Sequence, residues 1–157
     1  METSSNTDEK TSLETVASFL RYRDTFYQNA DELIARGELR KASEMLWGAV
    51  TQSVKALAAA SNVRISNHNQ FFEFLRELCH ELGDNHLYAT FVELNDLHRN
   101  FYDEFIPKDA FQILHKKAFD FIRLIDELLR KRAEEQIRPK NRINQKRASV
   151  KPQRQKS

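Results

Sequence analysis

The chain has 157 residues, of which 40% are apolar and 31% charged, with three Gly, three Pro and one Cys. That is room for one domain with a core and short appendages, and a lone Cys79 excludes an internal disulfide framework. The overall charge of +2 hides a partition: residues 136–157 hold eight Lys or Arg and no Asp or Glu, which leaves residues 1–135 at −6.

Residues 1–11 are polar and acidic, without an apolar run, and are expected to be a disordered leader with no signal peptide or membrane anchor. From Leu13 the apolar residues recur at three and four positions through Val16, Leu20, Tyr27 and Ile34 until Gly37 offers a C-cap, which predicts a helix over about 13–36. Leu39, Leu46, Val50, Val54 and Leu57 keep the same spacing through Ala60, so the second helix forms a hairpin with the first. Ala42, Ala49 and Ala56 give this helix a stripe of small residues, and Gly48 beside them implies a packing reason for tolerating about 1 kcal/mol of lost helix propensity. Ser66 or Asn67 can cap a third helix carrying Phe71, Phe72, Leu75, Leu78 and Leu82, which Gly83 ends. Leu87, Phe91, Leu94, Leu97, Phe101 and Phe105 predict a fourth helix from about Asn85, stopped by Pro107. The fifth opens at Asp109, carries an apolar face of Ile113, Leu114, Phe121, Leu124, Ile125 and Leu128, and fades near Arg132.

No strand-like alternation competes, so the fold class is all-α, an up-and-down bundle of about five helices. The domain spans 12–135, followed by a disordered basic tail over 136–157. Cys79, beside Leu78 and Leu82, suits a buried thiol in a reducing compartment, and a cytoplasmic location is expected. All 16 aromatics precede Arg123, an excess for one thin bundle that favours a dimer interface.

Leu97-His98-Arg99-Asn100-Phe101-Tyr102 carries the densest functional chemistry. If it lines a ligand or interface cleft, Arg99 would hold a phosphate or carboxylate through its forked donors, with Asn100 and Tyr102 adding directional hydrogen bonds. His98, Asp103 and Glu104 complete the candidate cleft. The alternative is structural: Arg99 and Asp103, four apart, make a surface ion pair, and His98 and Tyr102 stack at a core boundary. No metal is expected, because Cys79, His80 and His86 lack a second ligand pair at zinc spacing. His115 is expected on a solvated face with Lys116 and Lys117, and no cofactor or nucleophile motif occurs. In the tail, Arg138, Lys140, Arg142, Lys146, Arg147, Lys151, Arg154 and Lys156 alternate with polar residues, as suits contact with phosphates of RNA or another nucleic acid. With no aromatic among them, those contacts would be to backbone alone, and a merely solvated tail is the competing reading.

The run from Ala30-Asp31-Glu32-Leu33 to Gly37, then Lys41-Ala42-Ser43, Trp47 and Val54-Lys55-Ala56-Leu57, resembles the first helical hairpin of HEPN-type domains. Asn67-His68 resembles the helix start often seen there, and Leu97 to Tyr102 resembles the leucine-histidine-x-asparagine-phenylalanine-tyrosine signature of the archaeal PaREP family in that superfamily. The resemblance covers about residues 13–130. It implies a four- or five-helix bundle, frequently a homodimer, whose late helix lines a cleft near the subunit interface. Many such domains are RNA-cutting toxins or partners of nucleotidyltransferases. The cutting ones use an Arg, commonly followed by a polar residue, and a His four to six intervening residues later. Arg99-Asn100 matches the opening, but 104–106 are Glu104, Phe105 and Ile106. No catalytic residue is therefore assigned. The expectation is a non-catalytic binding or regulatory module, with a metal-independent endoribonuclease or a nucleotidyltransferase partner subunit as alternatives.

Overall fold

The computed structural model describes residues 3–103 and 106–149, with side chains for Lys10, 13–103 and 106–137. These residues form five helices and no strand: α1 Thr3–Ala35, α2 Leu39–Ala60, α3 His68–Leu82, α4 His86–Asp103 and α5 Lys108–Ser149.

Their ends follow from local chemistry. Gly37 and Gly83 adopt φ of 76° and 69°, and the amides just past them, Glu38 and Asp84, bond back to the carbonyls of Leu33 and Cys79. This closes each helix with a left-handed residue that only glycine adopts without strain. α2 ends the same way at Asn62, φ 58°, with Val63 N–H bonding to Ala58 C=O at 2.8 Å. Asn67 caps α3, its side chain accepting from the Gln70 amide at 3.1 Å.

α1 and α5 exceed the lengths expected from the sequence, reaching into 1–11 and 136–157. No Gly or Pro interrupts residues 3–35, and half of residues 136–149 are Lys, Arg or Gln, residues of high helix propensity, although α5 also runs through Pro139. Backbone helicity there answers to local propensity rather than to apolar surface.

α2 is the hub and packs against each of the other four helices. Its buried residues, among them Ala42, Leu46, Trp47, Ala49, Val50 and Leu57, lie nearly all round the helix, as a central helix requires. α1, α3 and α4 lie around it, and α5 runs alongside from Phe111 near Leu39 to Arg132, which hydrogen-bonds Ser61. Phe91, Phe121, Leu46, Leu75, Leu94 and Ile125 fill the centre.

Gly48 lets the Phe26 ring of α1 approach α2 closely. A Cβ built there would lie 2.9 Å from a carbon of the Phe26 ring, so the ring occupies the space a side chain would need. Gly48→Val is expected to destabilise the protein by about 1–3 kcal/mol, read as a lower urea midpoint. An unchanged midpoint would mean that α1 does not depend on this contact.

Candidate functional site

The site grows from one face of α2. Arg40, Ser43, Glu44 and Trp47 fall at spacings of three, four and seven, so they share a stripe, and α4 crosses it antiparallel. Arg40 donates to the Phe101 carbonyl and holds its guanidinium 5.5 Å from the Phe101 ring centre. Asn100, 4% exposed, donates to Ser43 Oγ at 2.8 Å and accepts from the Ile106 amide at 3.0 Å. Ser43 in turn donates to the Leu39 carbonyl at 2.8 Å. This buried chain of hydrogen bonds fixes the start of α2, the end of α4 and the approach to α5 relative to one another.

Next to it, His98 Nδ1 lies 2.8 Å from Glu44 Oε2. An ionised carboxylate only accepts, which places the proton on Nδ1 and leaves Nε2 as the lone-pair nitrogen of the neutral ring. Both side chains are partly exposed, 33% for His98 and 27% for Glu44, so the pair sits at the surface of the core. The His98 ring stacks on Trp47, the protein's single tryptophan, at 5.8 Å between centres. Tyr102 presents its edge to His98 at 5.2 Å and is 64% exposed.

From His98 the rings continue onto α3. His68, placed at the first turn by the Asn67 cap, is exposed and lies 6.3 Å from His98 and 5.4 Å from Phe72. Phe72 meets Tyr88 at 6.4 Å, and the Arg76 guanidinium stands 5.3 Å from the Tyr88 ring centre. Arg76 also donates to the Tyr88 hydroxyl at 3.1 Å, which further favours its charged form. Asn95, in the α4 stripe between Tyr88 and Tyr102, has a buried amide oxygen with no protein partner among the described residues.

The sequence candidates therefore divide. His98 and Tyr102 come together with Glu44, Trp47 and His68. Asn100 is turned inward and its amide is used within the protein. Arg99 is exposed, with Asp96 at 3.6 Å one turn back on α4, and Asp103 is the exposed last residue of that helix. Glu104 lies outside the described residues, as do the side chains of Arg138, Lys140, Arg142, Lys146 and Arg147 and the whole of Lys151, Arg154 and Lys156. Glu44 and Arg40 were missed by sequence reading. The signal for them was the polar residues at 40, 43 and 44 sharing one face of a helix that is apolar on its other sides.

His115 is not on a solvated face. It stacks 6.2 Å from both Tyr27 and Phe111 and faces Asp31 at 3.8 Å. Burial, and then Asp31, push the Tyr27 hydroxyl above its usual pKa. The groove between α4 and α5, about 730 Å³, is bordered by His86, Ile113, Asp120 and the Glu93–Lys117 ion pair, and takes in none of the ring cluster. Cys79 is buried, while His80 and His86 are exposed. Among the described residues no three His, Cys, Asp or Glu side chains converge as a metal site would require, and no helix is long and apolar enough to cross a membrane.

Residues 19–122 match the family model of the archaeal PaREP1/PaREP8 family. That span contains α2, α3, α4 and every residue of the ring cluster. No curated protein gives a significant match to the chain.

Proposed function

We propose that this chain, which belongs to the archaeal PaREP1/PaREP8 family, is a non-catalytic HEPN-like binding or regulatory module of the cytoplasm that associates with RNA, its basic tail supplying the ionic contacts. The observation that carries this reading is the partly exposed cluster of Glu44, His98, His68 and Tyr102. It combines flat rings with directional polar groups at the protein surface, the composition of a recognition site. At 104–106, where a nuclease of the HEPN type would place its histidine, stand Glu104, Phe105 and Ile106. A homodimer is part of the proposal, supported by the exposed apolar side chains of Leu13 and Tyr22 on α1 and of Ile113, Phe119 and Ile137 on α5.

A second reading has one observation in its favour. His68 and His98 lie 6.3 Å apart with His98 oriented by Glu44, an arrangement suited to passing protons to and from a ribose hydroxyl and its leaving oxygen. Against it, Glu44 sets an acidic group on His98, and Arg99 has an acidic neighbour in Asp96.

The test of the binding reading is a salt series with labelled mixed-sequence single-stranded RNA, comparing the full chain with a full-length variant whose eight tail Lys and Arg are replaced by Gln. Single-strand contacts change log K by about −0.7 per phosphate for each unit of log salt, so full engagement of the tail gives a slope of about −5 to −6. The variant is expected to lose most of that slope. A full chain that binds no RNA at low salt would overturn the proposal.

A further inference from the structure

We infer that Tyr102, His98, His68, Phe72 and Tyr88 form a stacking path for the unpaired bases of a single-stranded nucleic acid. The inference rests on the RNA-binding reading and assigns the base-recognition surface to the folded bundle, separate from the tail.

The rings follow one another without a break, at 5.2, 6.3, 5.4 and 6.4 Å between successive centres. They run from the end of α4, across the start of α3, and back to the start of α4. Along α4 the distance from Tyr88 to Tyr102 is about 21 Å, room for a few nucleotides. A core needs rings, but it does not need them at the surface: Tyr102 and His68 are exposed, and His98, Phe72 and Tyr88 are partly so. Successive rings meet edge-on at three of the four steps, and the rings of His98 and Tyr88 are met by Trp47 and Arg76, so it is the exposed rings of Tyr102 and His68 that offer the sequence-tolerant contact unpaired bases use, because every base has a π-face.

The charge pattern fits the same occupant. The body as a whole is acidic, so phosphate attraction must be local. Arg76 stands at the Tyr88 end. At the other end Phe101 lies 5.0 Å from Tyr102 with Arg40 over its ring. His68 is the first residue of α3, so the positive end of that helix lies midway along the path and opposes the Glu44 charge. Cations at the ends, Arg76 with Glu73 near it and Arg40 bonded to the Phe101 carbonyl, and rings between them suit a strand whose phosphates run outside its stacked bases. A duplex has its base faces already stacked and offers nothing to such a path.

The experiment measures binding of the full-length protein to a 12-nucleotide mixed-sequence RNA, the DNA of the same sequence, and the corresponding RNA duplex, for the unaltered chain and for Tyr102→Ala, His68→Ala and Tyr102→Phe. Both altered positions are exposed, so thermal midpoints should stay at the value of the unaltered chain. The expected result is a preference for single strands over the duplex. Each Ala variant should weaken single-strand binding about five- to hundred-fold, with Tyr102→Phe close to the unaltered chain. Equal affinity of the RNA and DNA strands would mean that the path reads bases alone, and tighter RNA binding that the ribose contributes; both agree with the inference. Ala variants that bind like the unaltered chain while the tail-neutralised variant fails would overturn the stacking path and leave the tail-binding reading intact. Absence of RNA binding by the unaltered chain would remove both.

Discussion

Phe91→Ala lowers the stability of the protein by about 3–5 kcal/mol, the largest effect expected of any single truncation here. Phe91 is fully buried, and its ring lies 5.0 to 6.1 Å from those of Trp47, Phe71, Phe72 and Phe121. It therefore touches α2, α3 and α5 from its place on α4. Removing it loses the transfer free energy of the ring and leaves a cavity that no single neighbour can close without releasing another contact. The consequence reaches the site, because Trp47 supports the His98 ring. Urea denaturation followed by the fluorescence of the sole tryptophan gives the midpoint. A loss below about 1 kcal/mol would show that the four-helix junction is not organised around this ring.

Asn100→Leu is the second large effect, about 2–3 kcal/mol destabilising. The substitution keeps the volume approximately and removes both polar functions. Ser43 still has the Leu39 carbonyl, but the Ile106 amide loses the acceptor Asn100 Oδ1 now gives it. A part-buried donor left without its acceptor regains only part of that bond from water. Hydrogen exchange at the Ile106 amide is the specific readout, since global unfolding alone would not distinguish this bond from general packing. Faster exchange at Ile106 under native conditions is expected. Protection unchanged from the unaltered chain would mean that Asn100 does not tie α4 to the approach of α5.

The helix count was legible because each boundary is written in a few adjacent residues: Gly37 and Gly83 as left-handed caps, Asn67 as an N-cap and Pro107 as a stop. The end of α2 at Ala60 was legible too, from the apolar spacing that stops there, although its left-handed cap is Asn62, which gives a weaker sequence signal than Gly. The outer reaches of α1 and α5 depend on backbone propensity, which a reading of apolar periodicity does not weigh. For the site, the α4 segment drew notice because His98 to Tyr102 are chemically dense and contiguous. Its partners did not, since Glu44 lies 54 residues from His98 and the pairing arises only when α2 and α4 cross. Asn100 shows the converse. Its chemistry suits a ligand, yet packing turns it inward, and spacing along one helix cannot tell a residue facing a neighbour from one facing solvent. His115 was misplaced for the same reason, its Lys neighbours being exposed or half-buried on α5 while it turns toward Tyr27 and Phe111.

The most direct test of whether this protein binds RNA without cutting it is to incubate the full chain with end-labelled single-stranded RNA at neutral pH, with chelator present, and to follow retention and strand length in the same samples. RNA is expected to be retained at full length over hours. Shortened RNA, with cutting abolished by His68→Ala or His98→Ala, would contradict the non-catalytic reading and make these two imidazoles the acid and base of a nuclease.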